Sequence, residues 1–138
     1  MARVKLDSQL LGLSTIMERL SKARVKDCFS FEDTIYFVVA TGEMGKAVGK
    51  KGSTIKRIQQ ELGKKIRVIE FRDNLNSFIR NVIYPVKVEE IIEEDGMVLI
   101  RDSNKKVRSL LIGREGKNLL LLNRAVKRFF NVSEVKVV

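Results

Sequence analysis

The sequence predicts a two-layer α+β fold built twice: two units in tandem, each running α-β-β-α-α-β around a three-stranded sheet. Three observations predict it. First, "KAVGKKGSTIKRIQQEL" (Lys46 to Leu62) aligns without gaps on "LLIGREGKNLLLLNRAV" (Leu110 to Val126), placing Gly49 on Gly113 and Gly52 on Gly116. Second, each copy follows an amphipathic segment and two strand-like runs. Third, 138 residues with 44% apolar content suit one ordinary globular domain or two very small ones, and not a disordered tail.

In the first unit, Leu10, Leu13, Met17 and Leu20, with Ile16 beside them, recur at helical spacing and predict a helix over Ser8 to Ser21. Val25, Phe29 and Phe31 alternate with polar neighbours as a half-buried strand does. "TIYFVVA" (Thr34 to Ala40) is apolar on both faces, so it belongs inside the sheet, and the short Glu32-Asp33 break makes the pair an antiparallel hairpin. After the glycine loop, Ile55, Ile58 and Leu62 mark one helix face, Gly63 is a C-cap, and "KIRVIEF" closes the sheet.

The second unit repeats the order. "NLNSFIRNVI" (Asn74 to Ile83) aligns Leu75, Phe78, Ile79 and Val82 and stops before Pro85. "VKVEEIIEE" and "MVLIR" are predicted strands joined around Asp95-Gly96. A short helix over Lys105 to Ile112, the loop Gly113 to Gly116, a helix carrying Leu119, Leu122, Val126 and Phe129, and the strand "EVKVV" complete it. The second copy needs about five more residues between loop and last strand, so its helix end or following loop must differ. The expected domains are 1–72 and 73–138, with a minimal connection around Arg72 to Asn74 that argues against independent tumbling.

Charge narrows the partner. Lysine and arginine outnumber acids 27 to 17, the net charge is +10 and the pI about 9.9, which makes nucleic acid the leading candidate over a membrane surface. No apolar run reaches the length of a spanning helix and "MARVKLDSQL" lacks the apolar stretch of a signal peptide, so a cytoplasmic protein is expected. Residues 1–72 carry 15 basic and 8 acidic side chains, net +7; residues 73–138 carry 12 and 9, net +3. Between Met44 and Arg67, eight basic residues, Lys46, Lys50, Lys51 and Lys56 among them, face one acid, Glu61. The first copy is electrostatically the stronger.

The composition also removes chemistry. With no histidine and one cysteine there is no internal disulfide, no structural zinc set and no Ser-His or Cys-His nucleophile, and Cys28 reads as a small buried hydrophobe. An enzyme would need lysine or carboxylate chemistry, and no convincing carboxylate cluster is present; no catalytic residue, metal or cofactor is expected. The acidic run Glu89 to Asp95 reads as a solvated strand edge and turn, since alternating strand positions do not converge on one ion.

Two glycines around two residues let the backbone turn through conformations closed to other residues, and the following helix presents unpaired N–H groups and its positive dipole end. With Lys50 and Lys51 there, an anion is the natural occupant. A nucleotide-binding P-loop fails on spacing: Lys51 stands where serine or threonine should bind Mg²⁺, and Met44 stands where the first glycine should be. The dinucleotide fingerprint is absent as well. A plain helix corner, with glycine for geometry and lysine for solubility, would explain one GxxG; two in the same context shift the balance to function.

A GxxG loop between two helices on a three-stranded sheet is the KH module, which clamps about four nucleotides of single strand; with a helix and strand ahead of its βααβ part, the order resembles the type II form. "GKAVGKKGSTIKRIQQELGKKIRVIEF" resembles the first KH domain of the NusA family of transcription elongation and termination factors, "RDNLNSFIRNVIYPVKVEEI" its link into a second KH domain, and "LLIGREGKNLLLLNRAVKRF" its second loop and helix, with the pattern I-G-(K/R)-(E/D)-G-x-N. The likeness runs from Leu6 to the C-terminus and is to the short archaeal form, without the polymerase-binding and OB-fold domains that precede the KH pair in bacteria. It implies single-stranded RNA binding at Gly49, Lys50, Lys51 and Gly52 and at Gly113, Arg114, Glu115 and Gly116, in a transcription termination or elongation role. Lys46 and Lys56 join the first set on charge. Glu115 puts a carboxylate beside the phosphate path, for Arg114 and Lys117 to offset.

Val48, Ile55 and Ile112 are candidates for lining a base groove, and Tyr36 or Phe37 for stacking, with core packing the competing reading for each. A monomer is expected, with RNA polymerase or ribosomal particles as the candidate assemblies; the alternative function is a ribosome-associated or ribosome-assembly RNA-binding protein.

Overall fold

The computed structural model describes residues 2–138, with side chains from residue 12 onward, and divides the chain into two compact units, Met1–Arg72 and Asp73–Val138. The first runs α1 (Ala2–Ser21), β1 (Val25–Phe31), β2 (Thr34–Val39), α2 (Met44–Val48), α3 (Ser53–Leu62) and β3 (Lys65–Glu70). The second runs α4 (Leu75–Ile83), β4 (Glu90–Glu94), β5 (Met97–Arg101), α5 (Lys105–Ile112), α6 (Lys117–Phe129) and β6 (Glu134–Val137). Each sheet places the middle strand of the sequence in the centre, antiparallel to the strand before it and parallel to the last one. This is the α+β order expected from the repeat.

Alternation along β2 builds the first core. Ile35, Phe37 and Val39 point to the helix side, where Cys28, Ile66 and Val68 join them beneath Met17, Ala47 and Ile58. Tyr36 and Val38 take the other face, also buried, which is why the strand is apolar throughout. Cys28 packs as the small hydrophobe expected. In β1 the alternation is imperfect: a bulge between Val25 and Asp27 shifts the register, so Cys28, and not Phe29 or Phe31, shares the helix-facing side with Val25.

Helix α1 begins at Ala2, before the expected Ser8. Leu10 lies outside the residues whose side chains are described, while Met17 is fully buried and Leu13 and Leu20 pack beside it. The helix stops where the Ser21 hydroxyl donates to the Met17 carbonyl (2.6 Å) and accepts from the Ala23 N–H (3.0 Å). At the end of α3, Gly63 adopts φ 63° and donates its N–H to the Gln59 carbonyl, as its C-cap role requires.

In the second unit, Asn74 and Asn104 cap α4 and α5 through side-chain oxygens that accept from Ser77 N–H and from Lys106 and Val107 N–H. Phe78 on α4 meets Phe129 and Phe130 at the end of α6, with ring centroids 5.5 and 5.6 Å away. The strand expected from Val86 starts only at Glu90. Its partner β5 ends at Arg101, and beyond that point the buried Asp102 takes the Glu89 N–H (3.1 Å) while the Glu89 carboxylate accepts from Ser103 N–H and hydroxyl, so side chains replace the ladder. The five additional residues of the second copy divide between helix and loop: α6 has 13 residues against 10 in α3, and four residues against two connect it to the last strand.

Candidate nucleic-acid interface

The first loop lies between α2 and α3, the second between α5 and α6, and the two have the same backbone. Gly49 (φ 77°, ψ 170°) and Gly113 (75°, 174°) open them; Lys51 (54°, 30°) and Glu115 (58°, 24°) follow; Gly52 (74°, 16°) and Gly116 (75°, 12°) close them. Hydrogen bonds repeat too. Gly49 and Gly113 donate to Gly45 and Ser109 carbonyls at 2.9 and 2.8 Å, and Gly52 and Gly116 donate to Gly49 and Gly113 carbonyls, both at 3.1 Å. The opening φ/ψ pair belongs essentially to glycine, and Lys51 and Glu115 sit left-handed at a cost on the order of 1–2 kcal/mol each.

The glycines differ in what surrounds them. A Cβ on Gly49 would collide with the Thr54 side chain and lie 2.7 Å from its backbone nitrogen; one on Gly113 would lie 2.6 Å from the Asn118 amide carbon. At Gly52 the nearest atom would be Ile55 Cγ2 at 3.7 Å, and at Gly116 nothing stands within 4 Å. The first glycine of each pair makes room for the protein's own side chain. The second is not crossed by a side chain, with only ordinary contact at Gly52 and open space at Gly116, and a ligand's backbone can approach there.

Around the first loop, Lys46 on α2, Lys50 and Lys51 in the loop and Lys56 on α3 are exposed. Lys46 pairs with Glu43 at 3.2 Å. The Glu43 carboxylate also accepts from Arg24 N–H (3.0 Å), and that bond, with Lys46 second, holds it below the ordinary carboxylate value. Sequence reading missed Glu43. It ties the start of β1 to the helix that carries Lys46.

Around the second loop, Arg114 and Glu115 are exposed and Lys117 is half-buried at the start of α6. In the gap-free alignment Leu110 stands opposite Lys46 and Leu120 opposite Lys56, and both leucines are 59% exposed. Ile112, before the glycine, is 37% exposed, whereas Val48 and Ile55 are half-buried, Ile55 against the core. Tyr36 and Phe37 offer no ring to a base: Phe37 is in the core and Tyr36 stacks on Phe29 with centroids 5.3 Å apart.

A second polar pair aligned by the repeat also went unread. Gln59 accepts from Ile66 N–H (3.1 Å), and Asn123 accepts from Val135 N–H (2.7 Å) and donates to Val135 O (3.0 Å). Each amide fixes the helix after the loop to the second residue of the last strand. Polar residues at matching positions in both copies, Thr54 with Asn118 and Gln59 with Asn123, were the available signal.

The KH-domain family model matches residues 14–94. A probable transcription termination protein NusA from Methanocaldococcus jannaschii is 30% identical over 142 residues, spanning 100% of this chain and 77% of the relative. The protein of the same name from Methanococcus vannielii is 34% identical, over 99% of this chain and 80% of its own. The crystal structure of APE1850 superposes at TM-score 0.78 with 26% identity, covering 94% of this chain and 98% of that one. Loop geometry, family model and relatives that match over nearly all of this chain agree, and the chain belongs to the NusA family of KH-domain proteins.

Proposed function

We propose that this chain binds single-stranded RNA at its two GxxG loops, most strongly at the first, and acts through that binding in transcription termination and elongation. The observation that carries the reading is one loop conformation built twice, each followed by a helix N-terminus and ending on a glycine that no side chain crosses. At the first loop Gly49 and Gly52 shape the backbone while Lys46, Lys50, Lys51 and Lys56 supply cations; at the second, Gly113 and Gly116 shape it and Arg114 and Lys117 offset Glu115. The relatives named as probable transcription termination proteins support the cellular role. RNA polymerase and ribosomal particles are the two candidate assemblies, and the chain acts as a cytoplasmic monomer without metal, cofactor or catalysis.

Binding to random single-stranded RNA pools across a salt series tests it. A short enriched motif and a salt slope of about −0.7 per neutralised phosphate, summing to several contacts, are expected. Weak, sequence-blind binding would instead reduce the interaction to the +10 charge. RNA incubated at length with the protein and Mg²⁺ should stay intact.

A further inference from the structure

We infer that Asn118 is a positioning residue for the second loop, a side-chain latch that holds Gly113–Gly116 in its binding conformation; the inference rests on the RNA-binding reading above. In a continued helix the N–H of residue 114 would donate to the Leu110 carbonyl. The chain leaves α5 at Gly113, and it is the Asn118 side-chain amide that donates to Leu110 O, at 2.8 Å. A side chain from α6 therefore replaces the backbone donor at the end of α5, tying together the two helices that the loop joins.

Gly113 fits this role. The Asn118 side chain reaches Leu110 by crossing the face of Gly113 where a Cβ would stand, with its Cγ, Nδ2 and Cβ 2.6, 2.7 and 2.9 Å from that position. The bare Cα at Gly113 accommodates the latch, while Gly116, with nothing within 4 Å, is left to the ligand. In the first copy Thr54 crosses Gly49 in the same way, but its hydroxyl is shorter than the amide and carries no second donor.

The test uses the full chain with Asn118→Ala and Asn118→Leu, the latter close to asparagine in size but without a donor for the Leu110 carbonyl. Affinity for a short mixed-sequence single-stranded RNA is measured across a salt series beside the melting temperature. Both variants are expected to lose about fivefold in affinity and to show a salt slope shallower by about 0.7, one phosphate contact, with the melting temperature lowered by less than about 4 °C. Should Asn118→Ala fail to fold, Asn118→Leu decides. Unchanged affinity and slope in the folded variants, or weaker binding with the slope preserved, overturns the latch. Lys50→Asp combined with Lys51→Asp, measured alongside, separates the two readings. If that variant keeps full affinity, RNA binding at the loops fails and the latch with it; if it loses binding while both Asn118 variants match the parent chain, the latch alone fails.

Discussion

At the first loop Lys46, Lys50, Lys51 and Lys56 stand where the second has Leu110, Arg114, Glu115 and Leu120, although the dihedrals of Gly49, Lys51 and Gly52 lie within 6° of those of Gly113, Glu115 and Gly116. Backbone conformation here is set by the glycines and by the side chain that crosses the first of them, Thr54 or Asn118. Charge is set elsewhere, by exposed positions that the fold does not constrain. The duplicated geometry can therefore hold two different affinities, one unit rich in cations and one where a carboxylate and exposed leucines dilute them.

The largest break in this comparison is expected from aspartate at the opening glycines. Gly49→Asp forces a side chain into a glycine-only conformation at a cost of about 1–3 kcal/mol and puts an anion at the cationic loop, so RNA affinity should fall by about 100-fold; Gly113→Asp should cost about tenfold, in titrations of each full-length variant. Equal losses would show that the two loops contribute alike. Next, Lys50→Asp with Lys51→Asp should weaken binding by about 30-fold and flatten the salt slope by about 1.4, two phosphate contacts.

Glu115→Lys sharpens the comparison in the opposite direction. It should raise affinity by about threefold to tenfold at low salt, with the gain shrinking as salt is added, because a repulsive charge becomes an attractive one in an unchanged backbone. Alanine at the closing glycines is milder: its Cβ would meet Ile55 Cγ2 at 3.7 Å at Gly52 and open space at Gly116, so each change should destabilise its unit by about 1 kcal/mol through the left-handed φ in denaturant unfolding, and the added methyl on the ligand's path should lower affinity by about threefold.

The smallest effect is a pH dependence confined to the first unit. Because the Glu43 carboxylate is held below its ordinary value by Arg24 N–H and then Lys46, its contribution is fully present above the unfolded-state value and is lost as pH falls through the lower folded-state one. Thermal melts of Glu43→Gln should show a slightly weaker acid dependence than the parent chain. The second unit has Val107 at the aligned position and no such dependence there.

Much of this molecule was legible from residues alone, for reasons visible in particular elements. Helix α5 falls on its predicted Lys105 to Ile112 because Asn104 before it and Gly113 after it are local signals. The two GxxG loops are legible because the opening position, φ 77° and ψ 170° at Gly49 and φ 75° and ψ 174° at Gly113, is open essentially to glycine alone. The strand predicted from Val86 is longer than β4 because Val86 to Glu89 alternate like a strand, whereas in the fold Val86 N–H donates to Ile83 O, Val88 O accepts from Arg80 and Glu89 N–H donates to the Asp102 carboxylate in place of a ladder.

What the sequence determined by itself was therefore the repeated α-β-β-α-α-β order, the loops and the uneven charge, since these depend on neighbours along the chain. Tertiary structure alone decided which glycine of each pair makes room for a side chain and which stays open, that Tyr36 is stacked away on Phe29, and that Asn118 rather than backbone caps Leu110. Those outcomes depend on how strands stack and how far a side chain reaches across a turn of the chain, distances that spacing in sequence does not encode.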